Sequence, residues 1–224
     1  MKKFNLAIDG PAGAGKSTIA KRLAKQLGFI YVDTGAMYRA MALYFLRNQI
    51  DASDSERIEE ACKDVDITIE YRNGEQLVIL NGENVNGLIR TEEVGNMAST
   101  SSVNRSVRLK LVELQQNLAR KENVVMDGRD IGTYVLPKAS LKIYLTATSK
   151  ERARRRWSEL KDKGIDADID EIEKDIIERD ERDMTREFAP LKQAEDAVYL
   201  DSSDLSIDEV VEKIYSLCQE RIHP

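Results

Sequence analysis

The sequence predicts an α/β protein in which a five-stranded parallel sheet is flanked by helices and carries a small antiparallel insertion. The first observation is a set of five short apolar runs, at 4–8, 29–32, 124–126, 141–145 and 198–200. The second is that segments with apolar residues at helical spacing follow several of these runs. The third is a stretch between the second and third runs in which apolar and polar side chains alternate, as in a half-buried strand.

The first two runs each lead into a helix. Residues 4–8 end in a glycine-rich turn, after which 17–27 carries apolar residues at helical spacing until Gly28 stops the helix. Residues 29–32 lead into DTGAMYR and a helix that continues through Leu46. This pattern is a βαβ unit, which needs a parallel sheet.

The alternating stretch predicts an antiparallel hairpin inserted into the parallel fold. Apolar and polar residues alternate over 67–71, and a second β run follows at 77–80. Asn-Gly dipeptides at 73–74 and 81–82 supply the turns, because both residue types tolerate the positive φ angles that tight hairpins require.

The second half of the chain continues with helices and strands. One long helix is predicted from an apolar stripe formed by Val107, Leu111, Leu114 and Leu118. Ser149 is placed to cap the charged helix that follows the fourth strand, and Ser206 with Glu209 forms a capping box before the last helix. In that last helix we expect three side chains to face inward: Val210, Ile214 and Leu217.

Composition and charge limit the classes of function. With 224 residues, of which 42% are hydrophobic and 33% charged, the chain fits one domain with insertions. The net charge of −6 disfavours binding to nucleic acid polymers, and no apolar run is long enough for a membrane helix. The N-terminal apolar run is too short for a secretory signal. Cys62 and Cys218 lie far apart without metal-site spacing, so a reducing cytoplasm fits best.

A phosphate-binding loop is the strongest signal in the sequence. Residues 10–17 match GxxxxGK[ST] in full, between a predicted strand and a predicted helix. Backbone N–H groups can wrap a phosphate only where side chains are absent, and the helix N-terminus adds partial positive charge. Lys16 would reach the β and γ phosphates, and Ser17 would hold Mg²⁺. We expect ATP to be bound by Gly10, Pro11, Ala12, Gly13, Ala14, Gly15, Lys16, Ser17 and Thr18.

Two further segments follow strands, at the sheet edge where open α/β proteins bind ligands. The loop at 33–39 ends in Arg39, which is placed to grip an acceptor phosphate; an arginine that covers a helix surface is the alternative. Asp127 follows an apolar strand, where a carboxylate can orient magnesium, and a helix cap is the alternative. Arg129 and Asp130 come directly after it.

Regulatory GTPases are the rival class, because they share the phosphate-binding loop. They need an NKxD motif to recognise guanine, and this sequence has none. They also need a DxxG switch, which the segment DGRDIG at 127–132 does not supply in that spacing. Both absences favour an enzyme.

Five segments together resemble the bacterial cytidylate kinases, in that family's order and over essentially the whole chain: IDGPAGAGKST, DTGAMYR, LNGENVNGLIRTEEV, MDGRDIGT and ERDERDMTREFAPL. The inserted segment, roughly 62–100, is the most specific part, since adenylate and guanylate kinases lack it there. The resemblance implies a P-loop NTPase core within a single domain, 1–224, with an inserted antiparallel NMP-binding region about 34–102 and a helical LID about 151–170. It also implies ATP- and Mg²⁺-dependent phosphorylation of CMP and dCMP.

The resemblance further implies roles for single residues. The CMP phosphate would be held by Arg39, Arg129 and Arg186, the sugar by Arg179 and Asp183, and cytosine by Ser99, Arg108 and Asp130. Thr34 and Tyr38 would also bind this substrate, and Ser17 and Asp127 the metal. Catalysis would depend on Lys16, Asp127, Arg129, Arg155 and Arg156. One role has independent support: cytosine presents an N4 amine to a carboxylate where uracil presents a carbonyl, so Asp130 should favour CMP over UMP.

Two arginine clusters have a second interpretation. The first, Arg179, Arg182 and Arg186, falls at i, i+3 and i+7 of a helix, and the second, Arg152, Arg155 and Arg156, would close over ATP from the LID. A solvated helix laced with salt bridges explains such patterns equally well. Phosphoryl transfer favours the functional interpretation, because charge spreads over the moving oxygens and needs cations around it.

Some residues have no expected role, and some alternatives stay open. His223, the single histidine, is not needed as a base, since the acceptor phosphate oxygen is already anionic. Cys218 is expected to be packed in the last helix. We expect a monomer that binds neither nucleic acid polymers nor membranes. A small P-loop kinase for uridylate or an alcohol remains an alternative, as does a nucleotide-dependent switch that binds a protein.

Overall fold

The computed structural model describes residues 3–72 and 75–222. The predicted turn at 73–74 and His223 lie outside these described residues. No helix within the described ranges has the length and apolar content needed to cross a membrane. The elements are β1 (Asn5–Asp9), α1 (Lys16–Leu27), β2 (Ile30–Asp33), α2 (Thr34–Arg47), α3 (Ser55–Asp64), β3 (Ile67–Arg72), β4 (Glu75–Leu80), β5 (Glu83–Asn84), α4 (Glu92–Ser101), α5 (Arg105–Lys121), β6 (Val124–Gly128), a π-helix (Ile131–Val135), β7 (Leu141–Thr146), α6 (Ser149–Asp162), α7 (Ile169–Thr185), β8 (Val198–Asp201) and α8 (Ile207–Ile222).

The central sheet confirms the predicted fold class. Its five strands lie in the order β2-β6-β1-β7-β8. Strand β1 pairs in parallel with both β6 and β7, and β7 pairs in parallel with β8. In this register Ile8 lies opposite Asp127 and Asp9 opposite Gly128. The carboxyl ends of β1 and β6 therefore meet at one edge, directly beside the phosphate-binding loop that follows β1.

The last helix packs on the sheet much as its apolar pattern predicts. Val210 and Ile214 are buried in the core together with β1 and α1, whereas Leu217 is only partly buried. Cys218 is fully buried instead, and this burial raises the pKa of its thiol to about 12. The capping box is confirmed: the Ser206 N–H donates to Glu209 Oε2 at 2.9 Å, and the Glu209 N–H donates to Ser206 Oγ at 3.3 Å.

The chain divides into two compact units. One combines the residues before Val32 with those from Asn123 onward, and the other is Val32–Glu122. The second unit contains the predicted hairpin, extended by β5 into a three-stranded antiparallel sheet. Asn81 and Gly82 join β4 to β5 with φ angles of 48° and 84°, which are the left-handed values of a two-residue hairpin turn. The bounds proposed for the NMP-binding region and the LID stay predictions.

Two helix starts differ from the prediction. Residues 34–39 are not a loop, because α2 begins at Thr34, and Asp33 caps it by accepting the Ala36 N–H at 2.9 Å. Thr148 rather than Ser149 caps α6, and its side chain accepts the Glu151 N–H at 3.2 Å. Helix α6 begins one position earlier than expected, and α2 begins within the stretch that was expected to be a loop.

The helices of the second unit were only partly foreseen. Helices α3 and α4 were not predicted, although Asp54 and Thr91 cap them through their side chains. Helix α5 was predicted, but its Leu114 and Leu118 are only half-buried. Its buried face turns instead toward Val112, Gln115 and Ala119, alongside the predicted Val107 and Leu111.

Candidate active site

The phosphate-binding loop joins β1 to α1. A Cβ atom at Gly10 would lie 1.8 Å from the backbone oxygen of Leu145, so only glycine fits there. Gly15, with φ 84°, is the N-cap of α1, and the buried side chain of Lys16 crosses the loop to donate to the Pro11 oxygen at 2.7 Å. Thr18 is exposed in the first turn of α1. The predicted cradle therefore has the backbone geometry that its function needs.

Ser17 and Asp127, the two predicted metal ligands, lie in direct contact. Ser17 Oγ donates to Asp127 Oδ2 at 2.9 Å. The hydroxyl lies in the first turn of α1 and the carboxylate in β6. Both are oxygen ligands of the kind that Mg²⁺ takes together with nucleotide phosphates. Among the described residues no cluster of three or more His, Cys, Asp or Glu side chains could hold a metal by itself. The residues therefore fit a magnesium ion that is shared with a nucleotide.

Lys16 and Arg129 place two cations at this edge of the sheet. Burial lowers the pKa of Lys16 well below its usual value, and the nearby charge of Arg129 lowers it further. Burial alone would also lower the pKa of Arg129, but Asp183, whose Oδ2 accepts from Arg129 Nε at 2.8 Å, raises it above its usual value. The charge of Asp127 raises the pKa of both Lys16 and Arg129. Such a pair of cations would stabilise additional negative charge.

Asp130 and Arg186 form a second buried pair in the same unit. Arg186 donates through NH2 to Asp130 Oδ1 at 3.3 Å and through Nε to the Ala189 oxygen at 2.8 Å. Arg186 is the C-cap of α7 and not part of it, and Arg182 is exposed. The predicted i, i+3, i+7 arginine face is therefore wrong. Arg179 lies half-buried on α7.

Asp9 is a buried carboxylate that the sequence analysis did not single out. Its two oxygens accept the N–H groups of Ile131 and Gly132, each at 2.7 Å, at the start of the π-helix. Burial raises the pKa of Asp9 to about 6, against the opposing effect of these two hydrogen bonds. Asp9 thus anchors the segment that directly follows Asp130. Its position at the end of a buried strand is the signal that could have identified it.

The Val32–Glu122 unit brings three predicted substrate residues together. The Arg108 guanidinium lies 5.5 Å from the centre of the Tyr38 ring, in cation–π contact, although Arg108 is only 1% exposed. Arg108 NH1 donates to the Ser102 oxygen at 3.3 Å, and Ser102 Oγ donates to the Ser99 oxygen at 2.9 Å. Helices α2, α4 and α5 therefore meet at these side chains.

Helix α2 carries the remaining predicted residues of this unit. Thr34 is buried in its first turn, and Arg39 NH1 donates to the Ile89 oxygen at 3.4 Å. The end of β2, directly before α2, is bound to the inserted sheet: the Asp33 N–H donates to Gln76 Oε1 of β4 at 2.8 Å. Arg90 NH2 donates to Asp33 Oδ2 at 2.7 Å. Gln76 and Arg90 were not expected to have any role; both brace the start of α2.

The arginines of α6 are arranged differently from the prediction. Arg155 donates to the Ser202 oxygen at 2.6 Å, and Arg156 forms an exposed pair with Glu159 at 3.3 Å. Arg152 is the one that contacts the phosphate-binding loop, where its NH1 donates to the Ala12 oxygen at 2.9 Å. Catalytic roles for Arg155 and Arg156 stay predictions. The contact of Arg152 with the phosphate-binding loop was not expected from the sequence.

A lysine-bearing phosphate loop at the carboxyl edge of a parallel sheet, with a serine and a carboxylate placed for magnesium, defines the class of P-loop nucleotide-binding proteins. Comparison with known proteins narrows this class. The model of the cytidylate kinase family matches residues 6–220. This chain belongs to the cytidylate kinase family.

Individual relatives agree with this assignment. A cytidylate kinase of Caldicellulosiruptor bescii is 57% identical over 217 residues, covering 97% of this chain and 96% of the relative. One of Shouchella clausii is 48% identical over 219 residues, with 98% and 97% covered. The crystal structure of a gluconokinase from Sinorhizobium meliloti has a similar fold, with a TM-score of 0.51, 12% identity, and coverage of 99% of this chain and 97% of that one.

Proposed function

We propose that this enzyme transfers the γ-phosphoryl group of ATP to the 5′-phosphate of CMP and dCMP, giving ADP with CDP or dCDP in pyrimidine nucleotide metabolism. The observation that carries the proposal is the phosphate-binding loop with Lys16 donating across it to the Pro11 oxygen at 2.7 Å and with the Ser17–Asp127 contact of 2.9 Å beside it. Arg129 adds a second cation, whose charge lowers the pKa of Lys16. Two desolvated cations repel each other in the protein alone, and a polyphosphate between them would convert this repulsion into binding.

The reaction needs positioning more than proton transfer. An anionic oxygen of the acceptor phosphate attacks the γ-phosphorus, the bond from the γ-phosphorus to the bridging oxygen breaks, and that electron pair leaves with ADP. The loop N–H groups and Lys16 bind the donor, while Arg129 balances the charge that spreads over the transferring oxygens. A bound Mg²⁺ would supply further charge neutralisation at the β and γ oxygens.

Several finer features belong to the same proposal. Ser17 and Asp127 would hold the Mg²⁺, because their oxygens already lie 2.9 Å apart. The residues proposed to bind the acceptor are Thr34, Tyr38, Arg39, Ser99, Arg108, Arg129, Asp130, Arg179, Asp183 and Arg186. We further propose that the enzyme acts as a monomer in the cytoplasm.

The test of this function is ADP release with Mg·ATP across CMP, dCMP, UMP, AMP, GMP and a reaction without acceptor. Turnover confined to CMP and dCMP is expected. Turnover mainly with UMP would keep the kinase and reject the proposed base specificity. Turnover that does not depend on any acceptor would reject the proposed reaction.

Asp127→Asn is expected to weaken the response to magnesium. Loss of the carboxylate charge removes an anionic partner for the ion, while the amide keeps one oxygen to accept from Ser17. We expect half-maximal activity to need about 10- to 100-fold more free Mg²⁺, the range typical for groups that support a metal. The measurement is initial rate against free Mg²⁺ at constant ATP. Asp175→Asn, a change at an exposed position of α7, is the control and should leave the curve in place.

Asp130 variants are expected to change base preference. Asp130→Ala should lower kcat/KM for CMP by at least about tenfold, because the cytosine N4 amine loses its acceptor, and should lower it less for UMP. Asp130→Asn should shift the preference further toward UMP, because an amide can donate to the uracil O4. The measurement is kcat/KM for both acceptors in each variant. Equal losses for CMP and UMP would show that Asp130 supports the site without reading the base.

A further inference from the structure

Arg152 is buried and uses all three of its nitrogens. Nε donates to the Ala147 oxygen at 2.9 Å, NH1 donates to the Ala12 oxygen at 2.9 Å, and NH2 lies 2.6 Å from Asp180 Oδ2. Arg152 is 5% exposed and Asp180 is 7% exposed. Desolvating such a pair is costly, so stability alone is a weak explanation for it. What the pair connects is more informative.

At one end the pair holds the phosphate-binding loop. A loop that turns its N–H groups toward phosphate must turn carbonyl groups away, and the carbonyl of Ala12 finds its partner in Arg152. The loop also packs against the same side chain, since a Cβ atom at Gly13 would lie 3.3 Å from the Arg152 Cβ. The position of Arg152 therefore constrains the shape of the cradle.

At the other end the pair holds helix α7. Asp180 lies between Arg179 and Asp183, the proposed sugar contacts, and one helical turn from Asp183. Its Oδ1 is buried and has no hydrogen-bond partner within the described part of the chain, so the position of this carboxylate depends on Arg152. Asp180 also contributes to the raised pKa of Arg129.

We propose that Arg152 and Asp180 are positioning residues that couple the phosphate-binding loop to α7, so that binding of ATP and binding of the acceptor strengthen each other. The Arg152 guanidinium is rigid and planar. A movement of the loop that shifts the NH1 of Arg152 must therefore also shift its NH2, which holds Asp180. This inference rests on the proposed function, because α7 reports on the acceptor only if Arg179 and Asp183 contact it.

The experiment is calorimetric binding of a β,γ-imido analogue of ATP with and without saturating CMP. The ratio of the two dissociation constants is the coupling factor, and linkage requires the same factor when CMP is titrated instead. In wild type we expect a factor of about 5 or more, the lower end of typical coupling. Arg152→Met and Asp180→Leu should each reduce it to about 1. Arg154→Met is the matched control: Arg154 is exposed on the same helix and paired with Glu151, and its loss should leave the coupling intact.

A double variant separates coupling from stability. Either single change leaves a buried group without its partner and is expected to lower Tm, whereas Arg152→Met combined with Asp180→Leu replaces the pair by apolar contacts and should recover Tm. Recovered Tm with the coupling still absent supports the inference. Coupling that returns together with Tm would overturn it, as would the absence of coupling in wild type. If wild type fails to bind CMP at all, the proposed function itself is wrong.

Discussion

Lys16→Met is expected to lower kcat by about 100- to 1,000-fold, the loss typical of removing one preorganised electrostatic group at a transition state. Stability should change in the opposite direction. Because burial lowers the pKa of Lys16 in the folded protein, its charge opposes folding at neutral pH, and Met removes that cost. We therefore expect a Tm equal to or above that of wild type.

Two measurements check this result: steady-state kinetics with CMP and a thermal unfolding curve. Lys25→Met is the control, since Lys25 lies exposed in the last turn of the same helix, and both its kcat and Tm should match wild type. A variant of Lys16 that lost activity only because it unfolded would instead show a lowered Tm. Retention of wild-type kcat would place the donor phosphates elsewhere.

Arg129→Lys is expected to lower kcat by about 100-fold or more while the protein stays folded. Lysine keeps the positive charge beside Asp183 but cannot present several N–H groups in a fixed plane to the transferring oxygens. Steady-state kinetics at saturating ATP and CMP measure the effect. Arg120→Lys, an exposed change on α5, should leave kcat unchanged. Equal kcat for Arg129→Lys and wild type would restrict Arg129 to a structural role.

Arg129→Met is expected to show how much the contact between Arg129 and Asp183 stabilises the fold. Burial alone would raise the pKa of Asp183, but the charge of Arg129 overrides this effect and holds it below its usual value. The pair therefore stabilises the fold above the unfolded pKa of about 4, and this stability is lost as the pH falls through the lower folded value. The Tm of Arg129→Met should lie below wild type at pH 7, and the gap should narrow below about pH 4. A gap independent of pH would contradict this account.

The phosphate-binding loop was predictable because its signals are contiguous. Nine residues in a row contain the glycines, the lysine and the hydroxyl, and a motif of fixed spacing leaves little for distant contacts to decide. The capping box at Ser206 and the turn at Asn81 were predictable for the same reason. Each is satisfied by neighbours within about three residues, so local chemistry determines the outcome.

Predictions based on helical spacing were less reliable, both for where a helix ends and for which of its faces is buried. Arg186 fits the period of α7 in the sequence, yet the helix ends before it and its guanidinium turns to Asp130. Leu114 and Leu118 fit a stripe on α5, but packing rotates the buried face toward Gln115 and Ala119. The apolar pattern of α4 is too weak to predict a helix, although Val94, Ala98 and Ser101 form its buried face. Tertiary contacts override propensity in each case.

The sequence by itself determined the class of fold, the phosphate-binding loop and the family, because apolar periodicity and a contiguous motif are properties of neighbouring residues. Only the tertiary structure decided which polar groups meet: Ser17 with Asp127, Arg129 with Asp183, and Arg152 with both Ala12 and Asp180. These partners are separated by dozens of residues, and the sheet register and helix packing, rather than any local pattern, bring them within hydrogen-bonding distance.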